Sequence, residues 1–200
     1  MSKPTETARQ AAHSGHSYWS AQIRALSHPN APTYRAHLLR LGDECRRARF
    51  GNCVSDKFLQ AYVEHIEPTN ALVIGWYDGA ELRGAVELRS LDADWCPTAE
   101  IAFSIEQDWR RRGIGTALMF HAMAAARKLA LERLFMSCHA FNRPMVRIAE
   151  RAAAEFDFSN NECSATISVH EALSPDVGRE LSDIVIALDL RRPSTNRPSG

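Results

Sequence analysis

The sequence predicts a mixed α/β fold, in which helices pack on a sheet built from antiparallel hairpins and a later βαβ-like crossover. Hydrophobic residues recur at helical spacing over 33–66, alternate with other residues as in strands over 71–106, and return to helical spacing after Gly113. Helices and strands mixed along one chain in this way form layers around a shared core. A chain of 200 residues, 45% of them hydrophobic, is long enough for one such domain.

We therefore expect a single domain over 33–190, between a loosely ordered segment over 1–32 and a flexible tail over 191–200. The first segment is rich in Ser, Ala, His and Thr, and the tail combines Pro, Ser, Asn and Gly without a hydrophobic period. Only "SYWSAQIRAL", in the first segment, is compatible with a short helix.

The first half of the domain contains helices followed by a hairpin. Two helices, or one broken helix, are predicted from "TYRAHLLRLGDECRRARFG" and "VSDKFLQAYVEHI", the second behind an N-cap at Ser55. Asp78 and Gly79 then predict a tight turn between two strands. A third strand, "TAEIAFSIE", alternates so that Ile101 and Phe103 face one side of the sheet.

The second half alternates helices and strands. A helix from Gly113 to about Leu131 precedes a strand at "ERLFMSCHA", a helix over "NRPMVRIAERAAAEF" and an edge strand at "ECSATISVHEAL". Ser174, followed by Pro and Asp, predicts the start of a closing helix, although "DIVIALDL" fits a strand equally well. The closing segment over 183–190 could support a homodimer.

Composition excludes several classes of protein. Lys plus Arg and Asp plus Glu number 24 each, so no overall charge draws the chain to nucleic acid or to an anionic membrane. The sequence has no apolar run of membrane-spanning length and its first residues are polar, which predicts a cytoplasmic protein. The five cysteines are widely spaced and form no CxxC pair, so neither a disulfide framework nor a metal site is expected.

The most informative stretch is "DWRRRGIGTALM", where three arginines directly precede two glycines and a helix. A helix N-terminus carries unpaired N–H groups and about half a positive charge, so it binds anions. Gly113 and Gly115 would let the backbone approach such a ligand closely, and Thr116 would add a hydroxyl group. The stretch therefore predicts a site for a phosphate-bearing ligand.

Three kinds of phosphate loop compete for this stretch. A nucleoside-triphosphate loop needs a Lys-Ser/Thr pair that is absent. A dinucleotide fingerprint needs a small residue where Leu118 stands and an acid at the end of the next strand, which Glu132 instead begins. The third kind is the Arg/Gln-x-x-Gly-x-Gly/Ala signature of the GNAT superfamily of acetyl-CoA-dependent N-acyltransferases, which "RRRGIG" resembles.

The resemblance to GNAT enzymes extends over about 35–156, including the hairpin, "AEIAFSIE", the next helix and the "LFMSCHAFN" strand. It implies a central, mostly antiparallel sheet whose fourth and fifth strands splay apart to hold the pantetheine arm. It also implies acetyl-CoA as cosubstrate and no metal. The cofactor-binding residues that it implies are Phe103, Ser104, Ile105, Arg110, Arg111, Arg112, Gly113, Ile114, Gly115, Thr116, Ala117 and Asn142.

The expected reaction needs a base, because a protonated amine has no lone pair with which to attack a thioester. Glu100 is the candidate, since "AEIAF" resembles the strand that carries this glutamate in the histone-acetylating branch. Glu106 and Glu87 are reserve candidates for the base. The alternative role of Glu106 is that of a loop or cap residue, and the alternative role of Glu87 is to pair with a neighbouring charge. His139, on the predicted strand that follows, could titrate near neutral pH, but a structural hydrogen-bonding role is the simpler interpretation.

One position departs from the family pattern. Many members carry a tyrosine seven residues after the asparagine, placed to protonate the departing thiolate, and Ala149 stands there. The glycine that is usual near the end of that helix is also absent. The expected function is transfer of an acetyl group to an amine of a small molecule or a protein, by direct attack in a ternary complex. The alternative is a non-catalytic acetyl-CoA-binding sensor or regulatory module.

Overall fold

A computed structural model describes the protein over residues 22–29, 31–90 and 95–170. The predicted closing element, the segment over 183–190 and the C-terminal tail lie outside these residues, as do residues 1–21. Within them the chain forms seven strands and five α-helices. In chain order these are β1 (Ile23–Ala25), α1 (Pro32–Arg40), α2 (Asp43–Phe50), α3 (Asp56–Glu64), β2 (Ala71–Asp78), β3 (Glu81–Ser90), β4 (Thr98–Ile105), α4 (Ile114–Lys128), β5 (Arg133–His139), α5 (Arg143–Arg151), β6 (Glu155–Ser159) and β7 (Glu162–Ser168).

The strands form one sheet in the order β1-β2-β3-β4-β5-β7-β6. Every neighbouring pair is antiparallel except β4 and β5, which are parallel and joined through α4. The predicted turn at Asp78 and Gly79 connects β2 to β3, and Gly79 takes the left-handed conformation with φ +59°. The mixed fold with a mostly antiparallel sheet is therefore confirmed. None of the described helices is long and apolar enough to cross a membrane.

Helices cover both faces of the sheet. On one face, α4 and α5 pack against Val86, Leu88, Ile101 and other apolar strand residues, and Gly84 allows the close approach of Ile114. On the other face, α1, α2 and α3 bury a second apolar cluster against β2 and β3. Ser55 caps α3 as predicted, because its Oγ accepts the Phe58 N–H at 3.2 Å.

The sheet opens between β4 and β5. Their pairing covers only residues 98–100 of β4 and 133–135 of β5, ending where Glu100 faces Phe135. Beyond this point β4 pairs only with β3, and β5 pairs only with β7, among the described residues. The last five residues of β4 therefore border a gap, which confirms the splay implied by the family resemblance.

The opening helical region differs from the sequence prediction. It holds three helices, because the chain breaks at Gly42, the N-cap of α2, and at Gly51, which ends α2 with φ +75°. In the N-terminal segment, residues 23–25 pair with β2 as strand β1 and do not extend a helix. Tertiary pairing has here overridden a weak local helical pattern.

The C-terminal region also differs. Helix α5 ends at Arg151 rather than continuing through Phe156, and residues 155–159 form β6. The predicted edge strand, β7, lies inside the sheet between β5 and β6. Asn160 and Asn161, with φ values of 48° and 66°, make the tight turn that folds β6 back on β7.

The end of α5 stores backbone strain. Ala153 has φ +53°, a conformation that glycine adopts without a Cβ conflict, and it stands near the position where the family pattern has a glycine. We expect Ala153→Gly to raise the free energy of unfolding by about 0.5–1 kcal/mol in urea titrations. Ala152→Gly is the control, since Ala152 has φ −91° and is buried, so the same change should destabilise by about 1 kcal/mol. Equal destabilisation by both changes would contradict the prediction.

Candidate active site

The loop before α4 presents a row of backbone N–H groups without acceptors. Arg110 N–H donates to Gln107 and Ala117 N–H donates to Gly113, whereas the amides of residues 111–116 have no acceptor among the described residues. Arg111 and Gly113 both take left-handed conformations, with φ 60° and 85°, and no side chain caps α4. Successive amides that point outward from such a loop and helix end form an anion-binding concavity.

Glycine is favoured at the two glycine positions of the loop for different physical reasons. No atom lies within 4 Å of a Cβ built on Gly113, so its positive φ is what favours glycine there. Gly115 is buried, and its Cβ would lie 2.7 Å from Ile148 Cδ1 and 3.3 Å from Ile105 Cδ1. Gly115 thus lets α4 pack against α5 and the end of β4, a reason that the sequence interpretation did not foresee.

The three arginines of the loop are in different situations. Arg110 donates to the Ile105 carbonyl at 3.3 Å and lies 3.5 Å from a Glu44 carboxylate oxygen. Arg112 lies over the Trp109 ring, with its guanidinium carbon 4.5 Å from the ring centroid. Arg111 is exposed and has no side-chain partner in the described part of the chain. Its charge is therefore the one most available to a ligand on the amide row.

Glu106, a reserve candidate for the base, is held by hydrogen bonds within a buried cluster of side chains. Its carboxylate accepts hydrogen bonds from Arg40 at 2.9 Å and Arg83 at 3.0 Å, and lies 3.1 Å from His37 Nδ1. The other ring nitrogen of His37 lies 3.0 Å from Ser104 Oγ. Burial alone would raise the pKa of Glu106, but the hydrogen bonds from these three side chains outweigh it and hold that pKa below its usual value.

Glu87, the other reserve candidate, is also held by hydrogen bonds within a buried cluster. It is 2% exposed and accepts hydrogen bonds from Tyr34 at 2.8 Å, Tyr62 at 2.9 Å and Arg49 at 3.1 Å. Arg89 completes the cluster as an ion pair at 2.8 Å. Burial, with the nearby Glu87 charge, raises the pKa of Tyr62 to about 12, so this phenol stays protonated and keeps donating. A carboxylate held in this way is a structural anchor.

Glu100 is in a different environment. It is half-buried, at the last paired position before the gap, between Arg89 on β3 and Phe135 on β5. Its side chain has no hydrogen-bonding partner among the described residues. Strand alternation places it on the same face as Ser104, under α1 to α3. Glu100 is thus the β4 carboxylate that remains available at the closed end of the gap, where the β4–β5 pairing stops.

The remaining candidates lie on the far side of the gap. Asn142 caps α5 through its Oδ1, which accepts the Met145 N–H at 3.4 Å. Ala149 is fully buried in the apolar core, so no polar group occupies the position of the family tyrosine. His139 ends β5 and stacks on the exposed Phe141 ring, four residues beyond the last β4–β5 pair. No cluster of potential metal ligands occurs within the described ranges.

A family model for the acetyltransferase (GNAT) family matches residues 36–154, which is more than half of the chain. The chain belongs to the GNAT acetyltransferase family. The matched region contains the gap, the amide row and Glu100, so these features lie within the part of the chain that defines the family. No curated protein matches the chain by sequence.

Several solved structures share its fold. The GNAT domain of S. lividans PAT is 19% identical, with a TM-score of 0.62, over 73% of this chain and 89% of that one. A Salmonella typhimurium putative acetyltransferase, solved with its cofactor acetyl-CoA, is 13% identical, with a TM-score of 0.57, over 77% and 96%. A cAMP-binding acyltransferase from Mycobacterium smegmatis is 20% identical, with a TM-score of 0.52, over 82% and 50%, so this chain matches half of its length.

The contact between Gly115 and Ile148 can be tested by a double-mutant cycle. Gly115→Ala should lower the free energy of unfolding by about 1–2 kcal/mol, because its methyl group enters the space of Ile148 Cδ1. Ile148→Val removes that atom, so we expect Gly115→Ala to cost less than half as much in the Val background. Urea titration gives the free energy of unfolding of all four proteins. An equal cost in both backgrounds would show that packing is not the reason for glycine at 115.

Proposed function

We propose that the protein is an acetyl-CoA-dependent N-acetyltransferase that acts by direct attack of an amine on the bound thioester. The observation that carries this proposal is the position of the amide row at the open end of the gap. The Ile105 side chain, at the end of β4, lies 3.3 Å from the Cβ position of Gly115 in the first turn of α4. One elongated ligand with an anionic end can therefore occupy both features.

The pyrophosphate of acetyl-CoA would bind the amides of residues 111–116, with Arg111 supplying a charged side chain. Ala117 would add no amide, because its N–H already donates within the helix. The pantetheine arm would run along the backbone of Phe103, Ser104 and Ile105, whose edge pairs with none of the described strands on the β5 side. Asn142 would contact the arm through its amide nitrogen, which remains free when its oxygen caps α5.

This route brings the thioester toward Glu100. The Glu100 carboxylate can take a proton from the attacking amine, directly or through water, because no other side chain in the described ranges binds it. Backbone N–H groups on the open edge of β4 can stabilise the oxygen that becomes negative during attack. The departing thiolate has a thiol-like pKa of about 8.5 and can be protonated by water, so Ala149 does not prevent turnover.

Binding of the phosphates can be tested by charge neutralisation. The double variant Arg111→Gln and Arg112→Gln should weaken acetyl-CoA binding about tenfold, since each arginine adds a charge beside the amide row. Arg47→Gln with Lys57→Gln is the control, because these side chains are exposed on α2 and α3 and remove the same net charge. Calorimetric titration provides the affinities. Acetyl-pantetheine, which lacks the pyrophosphate, should bind all three proteins equally, and failure of acetyl-CoA to bind the unaltered protein would refute the proposal.

The role of Glu100 can be tested by isosteric replacement. Glu100→Gln should lower kcat/KM for an amine acceptor by about 10²-fold or more and leave acetyl-CoA affinity unchanged. The residual rate should rise with pH, because the fraction of neutral amine rises. Glu132→Gln, an exposed change before β5, serves as the control. An unaltered rate in Glu100→Gln would remove Glu100 from the mechanism. If the unaltered protein binds acetyl-CoA without turning over any amine in a broad panel, the result would favour the sensor alternative.

A further inference from the structure

Ser104, His37 and Glu106 form a continuous hydrogen-bonded chain beneath α1. Ser104 Oγ lies 3.0 Å from His37 Nε2, and His37 Nδ1 lies 3.1 Å from Glu106 Oε1. The three residues are 5%, 0% and 9% exposed, respectively. Hydroxyl, imidazole and carboxylate are thus connected in the order that activates a serine for acyl transfer.

The Glu106 end of the chain determines the direction in which its hydrogen bonds run. Arg40 and Arg83 keep the Glu106 carboxylate ionised, so it accepts a hydrogen bond and cannot donate one. In neutral His37, this acceptor favours the tautomer with the ring proton on Nδ1, which leaves the lone pair of Nε2 facing Ser104. The Ser104 hydroxyl donates to that lone pair, which is the arrangement in which a histidine can remove the serine proton.

The Ser104 end of the chain lies at the gap. Ser104 belongs to the part of β4 that has lost β5 as a neighbour, and it follows Glu100 on the same face. The Ser104 side chain leaves β4 on the face that α1 covers, where it contacts His37, and its backbone borders the gap along which the thioester arm would run. We propose that Ser104 is an acyl-accepting nucleophile, which gives the protein a second activity, the hydrolysis of acetyl-CoA through an acetyl-serine. This inference rests on the proposed binding of acetyl-CoA in the gap.

The chemistry balances without any further reactant except water. Ser104 Oγ forms a bond to the acetyl carbon as its proton moves to His37 Nε2, and the carbon–sulfur bond breaks. The coenzyme A thiolate leaves with that proton. Water then attacks the acetyl-serine while His37 takes one of its protons, and His37 returns that proton to Ser104 as acetate departs. One acetyl-CoA and one water yield one acetate, one proton and one free coenzyme A.

The test incubates the full-length protein with acetyl-CoA and no amine. Chromatography follows the release of coenzyme A and acetate, and peptide mass spectrometry of acid-quenched samples locates an acetyl group. The unaltered protein should release both products in equal amounts and carry acetyl on Ser104. Ser104→Ala and His37→Gln should slow release at least tenfold, whereas Tyr34→Phe, which removes another buried hydrogen bond from the same helix, should not. Cys138→Ala should also keep the rate, since no acetyl-cysteine is involved.

The outcomes separate this inference from the proposed function. If calorimetry shows that acetyl-CoA does not bind the unaltered protein, both fall together. If acetyl-CoA binds and amines are acetylated, but no acetate is released or Ser104→Ala releases it at the original rate, only the nucleophile is refuted. The cluster then only fastens α1 to β4. Should Ser104→Ala fail to fold, Ser104→Cys keeps a nucleophile of similar shape, and absence of an acetyl group at that position overturns the inference.

Discussion

The separation of β4 from β5 is the constraint on which the rest of the structure depends. Backbone N–H and C=O groups that lose a neighbouring strand are costly if they are buried without partners, so an opened sheet needs either water or a ligand along its edge. The opened part of β4 must also be held from its other sides. Pairing with β3 holds one edge, and the Glu106 cluster fastens the strand end to α1. The gap can thus stay open in a rigid frame.

Buried charge supports this frame in two places. Glu87 and Glu106 lie under the same helices, and each is satisfied by several donors from helices and strands. Removing one donor from such a group leaves a desolvated charge with fewer partners, which costs more than an ordinary hydrogen bond is worth. Both carboxylates are therefore poor proton acceptors for a substrate and good anchors for the helices. Glu100 lies outside both clusters, and that difference, more than its identity as glutamate, is why we propose it as the base.

Much of this arrangement could be predicted from local sequence signals. The Asp78-Gly79 turn, the Ser55 cap and the helix after Gly113 each depend on neighbouring residues, and the splay followed from the family resemblance. What could not be predicted depends on residues far apart in the chain. Tyr34 reaches Glu87 across 53 positions, and His37 reaches Ser104 across 67. The strand after Arg151 was missed for another reason, since its turn uses two asparagines in place of the stronger Asn-Gly signal.

The short seam between β4 and β5 also has a mechanical consequence. The sheet consists of two leaves, β1 to β4 and β5 to β7, which pair directly at three positions and are connected through helix α4. A molecule that filled the space between the leaves would contact both, so it would hold them together. Ligand binding to the folded form alone stabilises a protein in proportion to the logarithm of ligand concentration. With acetyl-CoA bound as proposed, the resistance of the protein to unfolding would rise with the acetyl-CoA concentration, and a fall in that concentration would lower the stability of the folded protein.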